Sequence, residues 1–269
     1  MKFGICSEIF REWDIEKVFP FVREAGYQGL EIAPFTIADS VEQISPAERN
    51  RIKKLSEDAG VKIIGTHWLL VKPEGLSLSS RDGELRKKTA DYLSELVNFT
   101  ADIGGDIMVF GSPKQRSIGE GQTYAEVKNS VKEALKSVLA ACEKRKVFLC
   151  LEPLARTETN FMNTAGQAVE LIEEFKNPFL KLHLDVKAMS NEAKSIPEII
   201  MESRKYLKHF HVNDRNLGGP GFGDVDFAPI IGALKDAGYG GWLSVEVFDF
   251  TPGPEAIAKK SIEYLKKFV

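Results

Sequence analysis

The chain has 269 residues, of which 43% are hydrophobic and 28% charged, and a formal net charge of −3. This charge balance, with a pI near 5.9, argues against a broad nucleic-acid or anionic-membrane surface. No apolar run reaches the roughly 18 residues of a membrane span, so we expect no membrane partner.

The beginning of the chain, from Met1 to Glu8, is typical of a strand rather than of a secretory leader, so we expect a cytoplasmic protein. Its three cysteines (Cys6, Cys142 and Cys150) are odd in number and far apart, and none forms a Cys-x-x-Cys pair. The sequence therefore predicts neither a disulfide framework nor a thiolate zinc site.

Short apolar runs alternate with longer segments of helical period along the whole chain, and no composition shift or linker divides it. The eight predicted strands are Phe3 to Cys6, Gly29 to Ile32, Val61 to His67, Asp106 to Phe110, Val147 to Glu152, Leu180 to Asp185, Lys208 to Asn213 and Trp242 to Val247. The eight predicted helices are Asp14 to Ala25, Pro46 to Ala59, Asp82 to Ile103, Tyr124 to Lys146, Ala165 to Phe175, Ile196 to Tyr206, Phe227 to Ala237 and Pro254 to Phe268. Three helices are followed by a glycine where a left-handed cap is expected: Gly26, Gly60 and Gly238.

Eight such units fit a closed (β/α)8 barrel, known as a TIM barrel, formed as a single domain by residues 1–269. The alternative is an open doubly wound sheet, which usually has fewer strands and a glycine-rich first turn. The first turn, Ser7 to Phe10, contains no glycine. The number of units therefore favours the barrel.

Metal-binding side chains end four consecutive predicted strands, and in a barrel the reactive groups lie at these ends. They are Glu152, Asp185, His211 and Glu246. Any one alone is more often a capping acid or a core histidine, but four in succession favour a shared site. Three carboxylates and an imidazole repel one another unless a cation neutralises them. An oxygen-rich set with one nitrogen predicts one divalent cation per chain, Mn²⁺ first, with Mg²⁺, Co²⁺ and Zn²⁺ as alternatives.

Two further histidines, His183 and His209, precede ligand candidates by two residues and should lie beneath them. They either orient the ligands or fill polar core positions.

Four segments resemble the xylose isomerase-like TIM-barrel superfamily, and within it the sugar phosphate isomerase/epimerase proteins that include the ketose 3-epimerases. These segments are Leu151 to Glu158, Leu184 to Asp185, His209 to Asp214 and Val245 to Glu246. The resemblance implies one Mn²⁺-like ion on Glu152, Asp185, His211 and Glu246. It also implies that Glu152 and Glu246 act as the catalytic acid/base pair, that Glu158 contacts substrate, and that the protein forms a homo-oligomer.

The chain departs from the ketose 3-epimerases at two substrate-binding positions, where their histidine and arginine are replaced by Ala188 and Leu217. Lys187 and Arg215 are nearby basic groups that either substitute for them or are solvated loop charges. A different polyol, keto-sugar or sugar acid is therefore an alternative substrate.

The chemistry that this resemblance implies begins with removal of a proton from the carbon beside a carbonyl. Metal chelation of the carbonyl and hydroxyl oxygens stabilises the enediolate that forms. Reprotonation at the same carbon gives an epimer, and at the neighbouring carbon an aldose-ketose isomer. We therefore expect a metal-dependent sugar isomerase or epimerase acting on a small carbohydrate.

Three other functions are alternatives in this superfamily or this fold. A dehydratase or lyase on a keto-sugar or inosose starts from the same carbanion, and a non-catalytic carbohydrate-binding barrel needs no acid/base pair. An abasic-DNA endonuclease is disfavoured, because it needs a histidine-richer multinuclear site than the four histidines His67, His183, His209 and His211 provide. No nucleic-acid partner is therefore expected.

Further candidates surround the predicted mouth. His67 is either a hydrogen-bonding partner for a sugar hydroxyl or a structural histidine. Trp13, Trp68 and Phe248 either form an apolar wall for the sugar or belong to the ordinary core. Arg215 and Glu31 are either substrate contacts or loop charges. Trp242 opens its strand and should lie far from the chemistry. The glycine-rich run from Gly218 to Asp226 favours a loop that shapes the site over a phosphate-binding loop, and the connection from Leu69 to Ser80 is either a lid or a surface excursion.

Overall fold

Eight parallel strands close into one barrel in the computed structural model, which describes residues 1–269. The strands are β1 (Lys2–Cys6), β2 (Gly29–Ile32), β3 (Lys62–Thr66), β4 (Ile107–Phe110), β5 (Phe148–Leu151), β6 (Leu180–Asp185), β7 (Leu207–Val212) and β8 (Trp242–Val245). They follow chain order around the barrel, and β1 pairs with both β2 and β8. This closure confirms the predicted TIM barrel and excludes the open sheet.

Helices surround the barrel on its outside. They are α1 (Ile15–Ala25), α2 (Pro46–Ala59), α3 (Gly83–Asp102), α4 (Pro113–Arg116), α5 (Tyr124–Arg145), α6 (Ala165–Phe175), α7 (Val186–Met189), α8 (Ile196–Ser203), α9 (Phe227–Asp236) and α10 (Pro254–Leu265). Short 3₁₀ turns occupy Ser7–Phe10, Pro34–Thr36 and Val41–Gln43. The one-turn helices α4 and α7, which directly follow the ends of β4 and β6, were not predicted. No helix combines the length and the apolarity that crossing a bilayer requires.

Local signals in the sequence fix several helix ends. The three predicted cap glycines adopt positive φ angles of 100° at Gly26, 64° at Gly60 and 69° at Gly238. At the other end of a helix, Thr123 and Glu126 form a capping box that starts α5. The sharp ends keep the αβ connections short, which places each following strand next to the previous one.

Apolar side chains fill the amino-terminal end of the barrel interior. They form a small cluster of Ile64, Ile107, Val109, Cys150 and Trp242. Gly4 and Gly29 make room for this cluster, because a Cβ on either would lie less than 3 Å from Ile64. The bottom of the barrel is therefore packed, and Trp242 lies there as predicted, away from the strand tips.

Four of the predicted strands, β3, β5, β7 and β8, extend one or two residues too far at their carboxyl ends. The β5 ladder ends at Leu151 and the β8 ladder at Val245, so Glu152 and Glu246 each follow the last paired residue. Glu152 still donates its backbone N–H to Phe110 O at 3.2 Å before Pro153 turns the chain away. Both carboxylates therefore lie where the barrel wall opens into its loops.

Candidate active site

The four predicted strand-tip side chains converge at the mouth of the barrel. Glu152, Asp185, His211 and Glu246 are all buried, and each offers a ligand atom within 4.8 Å of the others. They come from β5, β6, β7 and β8, which are neighbours in the closed sheet. The convergence follows from the parallel register of these strands, whose carboxyl ends meet at one edge.

Asp185 is held by the loop that it begins. Its Oδ1 accepts the backbone N–H of Ala188 at 2.7 Å, so that Asp185 caps the short helix α7. Its Oδ2 accepts a short hydrogen bond from Asn213 Nδ2. Asn213 follows His211 by two residues and therefore links the tip of β7 to the tip of β6.

Glu152 depends on a glycine in the neighbouring strand connection. A Cβ on Gly111 would lie only 2.2 Å from Oε2 of Glu152. Gly111 directly follows β4 and thus leaves the space that the carboxylate occupies. His183 lies below, with Nε2 at 3.7 Å from Oε1 of Glu152, and neither of its ring nitrogens has a hydrogen-bond partner.

His211 is oriented by carboxylates on both sides of its ring. Its Nε2 donates to Glu31, whose two oxygens lie at 3.2 Å, and its Nδ1 lies 3.2 Å from Oε2 of Glu246. Although burial opposes it, Glu31 and Glu246 raise the pKa of His211 well above its usual value, because each carboxylate accepts from the ring nitrogen that it faces. If Nδ1, which faces the other three candidate ligands, bound a cation instead, Glu31 would still hold the proton on Nε2.

The structure corrects the expectation that Glu31 contacts substrate. Glu31 is fully buried inside the barrel, where it also accepts a hydrogen bond from His209 Nε2 at 2.7 Å. The backbone pairing shifts between Leu30 and Glu31, so this carboxylate points inward among the histidines. His209 is thus tied to Glu31 rather than directly to a candidate ligand.

His67 also lies away from the cavity, contrary to the expectation of a sugar contact. It is fully buried, its Nε2 lies 2.7 Å from Oε2 of Glu8, and its Nδ1 faces Glu31 at 3.9 Å. Glu8, in the 3₁₀ turn after β1, is a buried partner that the sequence analysis did not identify. A carboxylate directly after an inward-facing strand was the signal available for it.

Burial and mutual repulsion shift the pKa values of the clustered acids. Burial first, then the nearby Glu246 and Asp185 carboxylates, raise the pKa of Glu152 well above its usual value. Burial and Glu246 raise the pKa of Asp185 to about 6. Although burial opposes it, the adjacent His211 lowers the pKa of Glu246. The cluster thus carries more negative charge than its single imidazole balances.

These residues fit one divalent cation. Three carboxylates and one imidazole nitrogen form a hard, oxygen-rich donor set, and their like charges favour a cation at the point where they meet. The imidazole already has its second nitrogen held by a carboxylate, as metal-binding histidines commonly do.

A cavity of about 300 Å³ opens above the cluster. Glu152, Glu246 and Glu158 line it, together with the apolar side chains of Trp68, Val71, Leu154 and Phe248 and the polar segment from Ser112 to Gln115. A space of this size, with apolar walls and few polar groups, suits a small ligand.

Trp68 and Phe248 form one wall of the cavity, as predicted. The Trp68 ring stacks between Phe35 at 5.7 Å and Phe248 at 5.9 Å, measured between ring centroids. Its indole Nε1 donates to Oε1 of Glu246 at 2.7 Å. Trp68 therefore serves both as a wall and as a hydrogen-bond donor to the mouth carboxylate.

Glu158 is positioned by a lysine. Its Oε1 accepts a hydrogen bond from Lys187 Nζ at 2.8 Å, whereas its Oε2 is buried without a partner. A second cation, Arg116, is fully buried nearby and was not identified from the sequence. Burial lowers the pKa of Arg116 to about 10, although Glu152 and Glu158 partly oppose that shift.

Two other candidates lie elsewhere. Arg215 is solvent-exposed and does not line the cavity, because its loop turns outward after Asp214. Trp13 packs against Phe10 and Phe21, with ring centroids 5.4 and 5.1 Å away, in the connection between β1 and α1. Neither residue lines the cavity, and for Trp13 the packing fits the alternative of an ordinary core position.

The two long connections differ in their relation to the cavity. The glycine-rich loop folds back on its own start, since Val225 N–H donates to Asp214 Oδ2 at 3.1 Å. The connection after Trp68 contributes Val71 to the cavity wall, and Gln115 Nε2 donates to its Leu70 carbonyl at 2.9 Å.

The sequence profile of a known family, described as Xylose isomerase-like TIM barrel, matches residues 19–268. The chain belongs to this family. The resemblance inferred from the four strand-tip segments is therefore confirmed.

Individual members of this xylose isomerase-like family extend the match over the whole chain. A probable ketose 3-epimerase from Synechocystis is 26% identical, over 99% of this chain and 96% of the relative. An L-ribulose 3-epimerase from Mesorhizobium japonicum is 28% identical, over 92% of this chain and 80% of the relative. Among solved structures, a D-psicose 3-epimerase crystallised in the presence of D-fructose superimposes with a TM-score of 0.88 at 20% identity, covering 100% of this chain and 99% of that one.

Proposed function

We propose that this protein is a divalent-metal-dependent sugar isomerase or epimerase that acts on a small keto-sugar. One observation carries the proposal: Glu152, Asp185, His211 and Glu246 meet at the floor of a cavity large enough for one sugar. Relatives named ketose and L-ribulose 3-epimerase support sugar isomerase or epimerase chemistry.

The four residues would hold one divalent ion, for which we propose Mn²⁺ first and Mg²⁺, Co²⁺ or Zn²⁺ as alternatives. When bound, the ion would polarise the substrate carbonyl and adjacent hydroxyl and so lower the barrier to removal of the neighbouring proton.

Glu152 and Glu246 are the groups placed to move that proton. Each carboxylate both belongs to the cluster and lines the cavity, so each can reach a substrate carbon above it. One removes the proton from the carbon beside the carbonyl, and the other returns a proton. Trp68 keeps one oxygen of Glu246 in a fixed position. The aromatic wall supports the C–H face of the sugar and excludes water.

Two measurements test this proposal. Metal-free protein should bind about one Mn²⁺ per chain, measured by elemental analysis after dialysis. The Mn²⁺ protein should then incorporate deuterium from D₂O into a carbon-bound position of D-fructose, D-tagatose or D-psicose, measured by NMR. Failure to bind metal, or turnover that survives its removal, would contradict the proposal.

The product identifies the reaction. An epimer, an aldose or an unsaturated product would indicate an epimerase, an isomerase or a lyase, respectively. A Glu246→Gln variant separates an enzyme from a carbohydrate-binding barrel, because this change should abolish turnover but leave the affinity of a pure binder largely intact.

A further inference from the structure

Lys187 is a buried cation beside the cavity that the proposed proton transfer does not use. Its side chain is 11% exposed, its ammonium donates to Oε1 of Glu158 at 2.8 Å, and it lies 3.9 Å from the centroid of the Phe248 ring. Both of these partners line the cavity. A buried lysine costs free energy, so its position among cavity residues calls for a function.

The backbone holds Lys187 in register with the candidate ligands. Its N–H donates to Oδ1 of Asn213 at 2.8 Å, and the amide of the same asparagine donates to Asp185. Lys187 also lies in the one-turn helix α7 that Asp185 caps. The ammonium is therefore fixed relative to the metal-binding carboxylates rather than carried on a mobile loop.

The ion pair keeps unused hydrogen-bonding capacity. An ammonium has three N–H donors, and Glu158 is the only hydrogen-bond acceptor of Lys187 Nζ in the structure. The second oxygen of Glu158 is buried and has no partner. Buried polar groups are normally satisfied, so a donor and an acceptor left free side by side indicate a missing polar ligand.

We propose that Lys187 and Glu158 together bind one hydroxyl group of the sugar, Lys187 donating to its oxygen and Glu158 Oε2 accepting its proton. This inference rests on the proposed function and adds a substrate-binding residue to it. Phe248 lies under the ammonium and against the cavity, so it positions the sugar carbon that carries this hydroxyl.

The Lys187–Glu158 ion pair favours an uncharged ligand group over a phosphate at this point of the cavity. Lys187 is already neutralised by Glu158, and the Glu158 carboxylate repels a phosphate placed at this point. Of the remaining cations, Arg116 is fully buried, and Lys114 lines the cavity with an exposed side chain that no hydrogen bond or ion pair holds in place. The site thus favours a free sugar over a sugar phosphate.

A Lys187→Met variant tests the assignment, because methionine keeps the apolar stem over Phe248 and removes the donor. With the Mn²⁺ protein and whichever of D-fructose, D-tagatose and D-psicose the wild type turns over fastest, KM should rise about tenfold to a hundredfold. The Mn²⁺ affinity should stay within about twofold, which separates this role from a structural one. Lys187→Arg keeps a donor, so its KM should rise less than that of Lys187→Met.

Two further variants guard against misfolding. Lys144→Met, an exposed position in α5 outside the cavity lining, is the matched control and should leave KM unchanged. The double variant Lys187→Met with Glu158→Gln removes the unpaired buried carboxylate, and its KM should rise by less than the product of the two single effects. An unchanged KM in Lys187→Met, or a rise fully explained by weaker Mn²⁺ binding, would overturn the assignment while leaving the proposed function in place.

The charge preference has its own test. The wild type should show a higher kcat/KM for D-fructose than for D-fructose 6-phosphate. The ratio of these two kcat/KM values should be smaller in the double variant Lys187→Met with Glu158→Gln. A preference for the phosphate ester in the wild type would overturn the selection for an uncharged group. Absence of exchange with every free and phosphorylated sugar, despite bound Mn²⁺, would instead count against the proposed function.

Discussion

Both carboxylate oxygens of Glu31 lie 3.2 Å from Nε2 of His211. The two residues come from β2 and β7, which are not neighbours in the sheet, so the contact crosses the barrel interior. This carboxylate fixes the orientation of the imidazole from beneath, much as partners of metal-bound histidines do in general.

Replacing Glu31 by Gln should weaken Mn²⁺ binding about tenfold to a hundredfold, because the amide no longer fixes the proton on Nε2 of His211. The measurement is a Mn²⁺ titration of metal-free protein followed by electron paramagnetic resonance. Glu12→Gln is the control, since Glu12 has a side chain that is 87% exposed. An affinity equal to that of the wild type, in a variant that remains folded, would show that Glu31 does not support the ligand.

Metal binding should weaken at acidic pH. In the metal-free protein burial and Glu246 raise the pKa of Asp185 to about 6, so protons compete with the cation below that pH. Affinity should fall as the pH drops through about 6, by up to about tenfold per unit for each proton displaced, and the raised pKa of Glu152 adds to this dependence. Mn²⁺ isotherms between pH 5 and pH 8 measure this, and an affinity that does not change across the range would refute it.

Gly111→Ala should reduce activity sharply. The added methyl group would lie 2.2 Å from Oε2 of Glu152, so the carboxylate has to move. We expect a fall in kcat of at least about a hundredfold, since misplacement of a reacting group by about 1 Å has an effect of this size. Gly232→Ala is the matched control: its Cβ would meet nothing within 4 Å in α9, and alanine favours the helix by about 0.5–1 kcal/mol. Equal kcat in the two variants would contradict this account.

Trp68→Phe should lower kcat more than it raises KM. Phenylalanine preserves an aromatic ring between Phe35 and Phe248 but loses the hydrogen bond from Nε1 to Glu246. We expect about a tenfold loss in kcat, as one hydrogen bond to a charged group is worth about 1.5–3 kcal/mol and part of that is recovered by water. Steady-state kinetics measure kcat and KM of this variant. Trp13→Phe, a change outside the cavity lining, is the control. A rise in KM alone would assign Trp68 to the wall only.

The sequence predicted the barrel and the convergence of the four candidate ligands, because both depend on local patterns along the chain. Each ligand candidate follows an apolar strand directly, and the order of strands in a TIM barrel brings consecutive tips together. Glu152 and Glu246 were recognisable although their strands end one residue earlier, since only the position at the strand end matters.

The interior of the barrel was not predictable to the same degree. Whether Glu31 points into the barrel or toward the mouth depends on a shift in strand pairing between Leu30 and Glu31. The pairing of His67 with Glu8 joins residues far apart in the chain, and no local period reports such a contact. The proposed role of Lys187 was unpredictable for the same reason, because it depends on a hydrogen bond to Glu158 in another loop.

The apolar cluster around Trp242 closes the amino-terminal end of the barrel, so the interior opens only at the carboxyl ends of the strands. With the amino-terminal end closed, an ion held by the strand tips and a sugar above it share a single exit. We therefore expect a bound sugar to delay departure of the ion, so that the sugar leaves first and the ion second. Removal of Mn²⁺ by a chelator should accordingly slow as the sugar concentration rises.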